Sequence, residues 1–306
     1  NPDAQENLYA GTNAGAASDA DTCFNIAIGK NAGKNLNAGD RNVYLGCEAG
    51  ECTTAGSQNI AIGDRAGKCI QGGCNITMGV QAGYNFSTGS TNIAIGMNAM
   101  SSDVVTGSSN VAIGKCAGQN ISSGASNFFG GYCAGQYNTT AKCNVFIGHA
   151  AGFKRAFGCY NIAFGKCALR GTGTSSNNSG NNNIALGLNA GLNVKTGADN
   201  IALGQSAMAS GDVTGDNNIA LGESAGTGMT SGIHNIALGM TAMGAGAVTG
   251  KYNIAFGRCA SKNLVNGCDN ITIGREAGCG IVACNHNIMM GNSAGALNGA
   301  GIGNIF

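Results

Sequence analysis

Three residue types in this 306-residue chain could carry chemistry: fourteen cysteines, three histidines and fifteen carboxylates. Cys47/Cys52, Cys69/Cys74 and Cys279/Cys284 share a five-residue spacing. Cys116, Cys133, Cys167 and Cys259 each lie two residues after a glycine, and Cys143, Cys159 and Cys268 lie one or two residues before an asparagine. An even number of cysteines at recurring positions predicts disulfides across loops in an oxidising setting, foremost within the five-residue pairs. The other reading is cysteine as a small, buried filler. Zinc is not expected, because no Cys-x-x-Cys pair occurs and His149, His234 and His286 are far apart. Acid–base catalysis needs two groups converging in a cleft. Instead Glu48, Asp64, Glu223 and Glu276 are scattered beside Arg65, Lys115 and Arg275, which reads as a solvated rim. With no phosphate loop, nucleophile elbow or calcium repeat, neither an enzyme nor a cofactor is expected.

The elements that position these residues must be built from an unusual composition. Glycine accounts for 54 residues, proline for one and tryptophan for none, and charged residues make up 10% against a usual ~25%. Apolar residues make up 43%, too many for a disordered chain. Collagen is excluded, since it needs glycine at every third position and abundant proline. A net charge of +1 predicts no nucleic-acid partner, and no apolar run is long enough to predict membrane insertion. No charged-then-apolar leader follows Asn1-Pro2, so a signal peptide is expected to be absent or already removed.

One repeat accounts for the chain. The unit reads Asn-apolar-small-apolar-Gly-x-x-Ala-Gly followed by a polar stretch, as at Asn25-Ile26-Ala27-Ile28-Gly29. Units begin at residues 7, 25, 42, 59, 75, 92, 110, 127, 144, 161, 183, 200, 218, 235, 253, 270 and 287, and a partial unit occupies 304–306. The spacing is nearly constant, and the largest step runs from Asn161 to Asn183. With each asparagine as position 1, position 5 is glycine and position 8 alanine in all seventeen units. Glycine at this density forbids long helices, and short apolar runs bounded by turn residues read as strands. A period of about 17 residues fits one coil of a β-solenoid. The prediction is therefore all-β: a single parallel β-solenoid domain over residues 1–306, with about 17 coils and a length of roughly 80 Å at strand spacing.

The repeat assigns roles to columns. Asn25, Asn42, Asn59, Asn92, Asn110, Asn200 and Asn235 read as rungs of an amide ladder between stacked coils; the other reading is an asparagine that starts a turn. Position 9 is glycine except at Met100, Leu169, Met208, Met243 and Ser261. The first four sit in the longer coils, which predicts a second corner type with the side chain folded inward. Positions 2 and 4 are apolar and are expected to fill the interior. Position 3 would then face outward. It is Ala27, Ala61, Ala94, Ala112, Ala163, Ala185, Ala202, Ala220, Ala237 and Ala255 in ten units, and Thr, Tyr, Phe or Met in the rest. A strand apolar on both faces is covered on both. The alanine column is thus expected to be an oligomer interface in a closed cyclic assembly.

The Asn-Ile-Ala-Ile-Gly-x-x-Ala unit resembles the YadA-like head repeats of trimeric autotransporter adhesins, and similar repeats of phage and large-virus fibre proteins. The resemblance covers nearly the whole chain and is specific in the Ile-Ala-Ile-Gly core. It implies a left-handed β-roll, a homotrimeric rod and an attachment role at a virion or cell surface, hence an extracellular location. The family's coils are shorter, and alanine here replaces its second serine. No coiled-coil stalk or anchor is visible, so a fibre or appendage segment is expected rather than a bacterial autotransporter. The expected function is a rigid spacer or attachment rod whose partners are other copies of the chain, end-to-end copies included, and an unknown receptor or glycan.

Two alternatives are an ice- or surface-binding solenoid and a glycan-binding fibre head. The first needs an ordered exposed array, and threonine in the loops is irregular. The second draws on Tyr84, Phe86, Tyr132, Phe153, Phe157 and Tyr160, which lie outside the strand core, although such aromatics also serve as inward loop anchors. Sequons begin at Asn85, Asn120, Asn138 and Asn177, and the excursion over 170–182 is the best place for a receptor-facing loop.

Overall fold

The computed structural model describes residues 3–102, 104–173, 178–209, 211–244, 246–296 and 301–306. Among them the chain is a parallel β-solenoid without helix. Part of the excursion (174–177), with the sequon Asn177, lies outside the described residues. The coils group into two compact units, Asn1–Ile147 and Gly148–Phe306. The first carries strands β1 (Leu8–Ala10) to β11 (Val145–Ile147), the second β12 (Ile162–Phe164) to β19 (Ile288–Met290). Within each unit the motif strands pair in parallel with the same column of the next coil: Ile26 lies beside Val43, Ala27 beside Tyr44 and Ile28 beside Leu45. A second, smaller sheet pairs β5 (Cys69–Ile70) with β7 (Asn85–Phe86), and the bridges Val194–Val213 and Met229–Val248 continue that side in the second unit.

Each motif strand is three residues long because a glycine must follow it. Gly114 has φ +134°, and a Cβ there would lie 2.6 Å from the Gly131 carbonyl oxygen of the next coil. The backbone is again left-handed at position 7, where the residue is seldom glycine: Asn31, Cys116 and Ser224 have φ of +58°, +58° and +55°. At position 9 the predicted large residues do fold inward, since Met100, Leu169, Met208 and Met243 are buried. No separate corner accompanies them. Their φ values, +45° to +50°, are left-handed like that of Gly50 (+62°), so the longer loops are accommodated elsewhere.

The faces of the strand are the reverse of the expectation. Ala27, Ala61, Ala94, Ala112, Ala163, Ala185, Ala202, Ala220, Ala237 and Ala255 lie inside the coil, Ala202 at 2% exposure and the other nine at 0%. They cannot form an interface between chains. Positions 2 and 4 face outward instead: Ile26 is 37% and Ile28 42% exposed. The reason is geometric. Residues two apart share a face of a strand, so the inward asparagine at position 1 carries position 3 inward with it. The two sides of a short coil also approach closely, and two stacked columns of alanine, at positions 3 and 8, fill that space.

The rest of the core obeys a volume rule. Where position 3 is alanine and position 9 is glycine or serine, position 12 is large, as in Ala27 with Leu36, Ala61 with Ile70, Ala112 with Ile121 and Ala255 with Leu264, all buried; in the other alanine coils the buried Met100, Leu169, Met208 and Met243 at position 9 supply the bulk. Where position 3 is aromatic, position 12 is polar: Tyr9 with Ser18, Tyr44 with Thr53, Phe129 with Asn138 and Phe146 with Arg155. In those of these coils that lie within one unit, one bulky apolar group therefore enters from one side or the other. Position 9 must then leave room for an aromatic at position 3, since a Cβ on Gly50 would lie 2.6 Å from the Tyr44 ring.

Candidate functional surface

The asparagine column is the best-connected polar feature of the interior. Asn42 Nδ2 donates to Asn25 Oδ1 at 3.0 Å and to the Gly56 carbonyl at 2.8 Å. Its own Oδ1 accepts from the backbone N–H (2.9 Å) and the Nδ2 (3.2 Å) of Asn59. Each amide thus closes its own coil and ties it to both neighbours, with four hydrogen bonds from one buried side chain. The same pattern holds Asn25, Asn59 and Asn110 in the first unit and Asn235 in the second, while Asn92 and Asn200 close their own coils through Nδ2 and meet the preceding rung through the backbone N–H. Asn75 and Asn270, although sequons, are buried rungs of this ladder.

The outward columns form the candidate functional surface. In the first unit they carry Ile26, Ile28, Ile113, Phe128 and Val145; in the second, Ile162, Phe164, Leu186, Leu221, Ile254, Phe256 and Met290. Phe164 is 57% and Phe256 52% exposed. Position 6 widens the stripe with exposed Val80, Met97, Leu188 and Met240. In each unit the exposed apolar residues recur from coil to coil as one stripe, whereas scattered single apolar residues are ordinary on a monomer. The sequence reasoning missed these columns as a surface. The signal that finds them is the two-residue step between the buried asparagine and position 3.

The polar surface is organised by the same stacking. Column neighbours pair as Arg41 over Phe24 (5.6 Å), Lys68 over Tyr84 (6.0 Å), Lys115 over Tyr132 (6.0 Å), Arg170 over Phe153 (5.7 Å) and His234 on Tyr252 (5.1 Å). Lys68 Nζ lies 2.9 Å from Glu48 and 3.1 Å from Glu51. Its hydrogen bond to Glu48 holds that carboxyl below the usual range. Arg65 meets Glu48 at 3.7 Å and Asp64 at 3.5 Å, and Arg275 meets Glu276 at 3.1 Å. Such exposed pairs contribute little stability. Among the described residues no three histidine, cysteine or acidic side chains gather as a metal site, and no helix is long and apolar enough to cross a membrane.

The remaining candidates separate. Of the loop aromatics, Phe86 is a core residue at 0% exposure, while Tyr132, Phe157 and Tyr160 are exposed. Tyr84 lines a shallow polar cleft with Gln81, Asn98, Ser101 and Gln119. The sequon asparagine Asn138 is fully buried and so is no acceptor for sugar. All fourteen cysteines are thiols, including Cys47, Cys52, Cys69, Cys74, Cys279 and Cys284. The members of each five-residue pair occupy different columns of one coil.

Arg155 is a buried cation that the sequence reasoning passed over. It is fully buried, donates to the Val194 and Gly180 carbonyls, and meets no carboxylate among the described residues. Burial pushes its guanidinium down to about 10, still cationic at neutral pH. As the one basic residue in the position-12 column, it was visible in the sequence. The chain matches no protein-family model and no curated protein.

Proposed function

We propose that this chain is a structural segment of a fibre or appendage, a spacer or attachment element at a virion or cell surface that assembles with copies of itself as a homotrimer. The observation that supports this reading is the outward Ile/Val and Ile/Leu/Phe stripe. A parallel sheet whose inner face is already filled by alanine presents a second apolar face that the described residues of its own chain leave exposed. The stripe repeats at every coil, so identical stripes match at every rung when brought together side by side. Closing a ring leaves no copy with a bare face. The choice of three chains and of an attachment role comes from the resemblance of the repeat to adhesin heads and viral fibres. Catalysis is not part of the reading.

Mass photometry and sedimentation test it. The native chain should run at three times the 30.2 kDa of one chain. Ile95→Lys with Ile113→Lys, one charge on each of two neighbouring rungs, should release folded monomers with unchanged circular dichroism. A native chain that is monomeric at all concentrations would remove the proposal.

A further inference from the structure

Two pairs among the fourteen cysteines, and no others, occupy the same column in consecutive coils: Cys52 with Cys69 at position 11, and Cys116 with Cys133 at position 7. The backbone fixes their register. The Cys52 N–H donates to the Lys68 carbonyl at 2.8 Å, the offset by which Ile26 donates to Asn42 while standing beside Val43. The Cys133 N–H donates to the Lys115 carbonyl at 2.9 Å, the offset by which Gly46 donates to Ile28. Registered neighbours stand ~4.8 Å apart, inside the ~4.4–6.8 Å Cα separation a disulfide spans. In each pair the two thiols are neighbours that act on each other's ionisation. Cys116 and Cys133 also share a left-handed backbone, φ +58° and +54°, so their side chains leave the coil in the same direction.

We propose that Cys52–Cys69 and Cys116–Cys133 are sites of disulfide cross-linking between consecutive coils, in place of the five-residue pairs within a coil. The oxidant is a small-molecule disulfide of the glutathione class. One cysteine thiolate attacks it, forms a mixed disulfide and expels one glutathione thiolate. The facing thiol then loses its proton, attacks the protein sulfur of the mixed disulfide, closes the Cys–Cys bond and expels the second glutathione. Two protein thiols are oxidised and one glutathione disulfide is reduced to two thiols. Burial, then the Cys52 thiol, pushes Cys69 up to about 12, and burial raises Cys133. The bonds would clamp the coils begun by Asn42 and Asn59, and those begun by Asn110 and Asn127, both within the first unit.

The test uses the full chain, reduced, desalted and exposed to oxidised glutathione, then quenched with N-ethylmaleimide and mapped by non-reducing peptide mass spectrometry. The folded chain should yield Cys52–Cys69 and Cys116–Cys133 as its main cross-links, with the loss of two maleimide adducts for each. The same chain in urea should instead favour the short five-residue loops. Cys52→Ser should abolish the first link and leave the second at full yield. Dominance of Cys47–Cys52, Cys69–Cys74 or Cys279–Cys284 in the folded chain, or no cross-linking above the urea control, would overturn the proposal.

Discussion

At the scale of the residue, asparagine is chosen at position 1 because its amide is both donor and acceptor in one plane. Asn110 shows what this implies. Its Nδ2 donates to Asn92 Oδ1 (3.1 Å) and to the Gly124 carbonyl (2.9 Å), and its Oδ1 accepts from the N–H and Nδ2 of Asn127. Asn110→Asp keeps the shape and the acceptor but sets a carboxylate oxygen against two oxygens in a dry interior. The expected loss is about 3 kcal/mol, measured by urea unfolding at neutral pH. The aspartate's pKa is raised in the folded state, so the deficit should narrow as pH falls, because a protonated carboxyl regains one donor. An equal deficit at neutral and acidic pH would show that the donor bonds are unimportant. Arg155 is the opposite case, a side chain whose charge no described carboxylate in its unit neutralises. Its length bridges two carbonyls along the stack where the long excursion after Asn161 interrupts the position-12 column.

At the scale of the element, a coil is specified less by its strand than by the volume it encloses. Tyr44 and Thr53 are both buried in one coil, as are Ala27 and Leu36 in the coil before it. Thr53→Leu puts two large groups into a space built for one, and overpacking of this kind costs about 1–3 kcal/mol. Tyr44→Ala leaves a cavity costing about 3–5 kcal/mol. Tyr44→Ala combined with Thr53→Leu recreates the neighbouring arrangement and should recover most of the stability. A double-mutant cycle by thermal unfolding reads the coupling. Additive effects would mean that the two positions do not share a space.

At the scale of the whole molecule, the repeats make stability a sum of nearest-neighbour terms. Gly114→Val has to place a side chain at φ +134° and at 2.6 Å from the Gly131 oxygen. The local stack should open while coils far along the chain stay closed. Hydrogen exchange should then show loss of protection around residues 92–131, with protection retained in 200–290. Uniform loss along the chain would indicate one cooperative unit in place of stacked coils. The outward apolar columns also belong to this scale, because a single exposed isoleucine is ordinary and a column of them is a surface.

The sequence by itself determined the solenoid. Period, strand position and corner are all visible in the asparagine, glycine and alanine columns, because each residue type there answers to a local demand of backbone or space that every coil repeats. The core volume rule was also present, in the trade between Tyr44 with Thr53 and Ala27 with Leu36. Only the tertiary structure decided which face of the strand is inside. Both faces are apolar, and hydrophobicity alone sends the larger isoleucines inward. The closeness of the two sides of the coil admits only alanine there and leaves the isoleucines outside. The pairing of Cys52 with Cys69 was likewise a matter of stacking. Nearness along the chain favours a five-residue loop, whereas the solenoid brings a column back to the same place only after one complete coil.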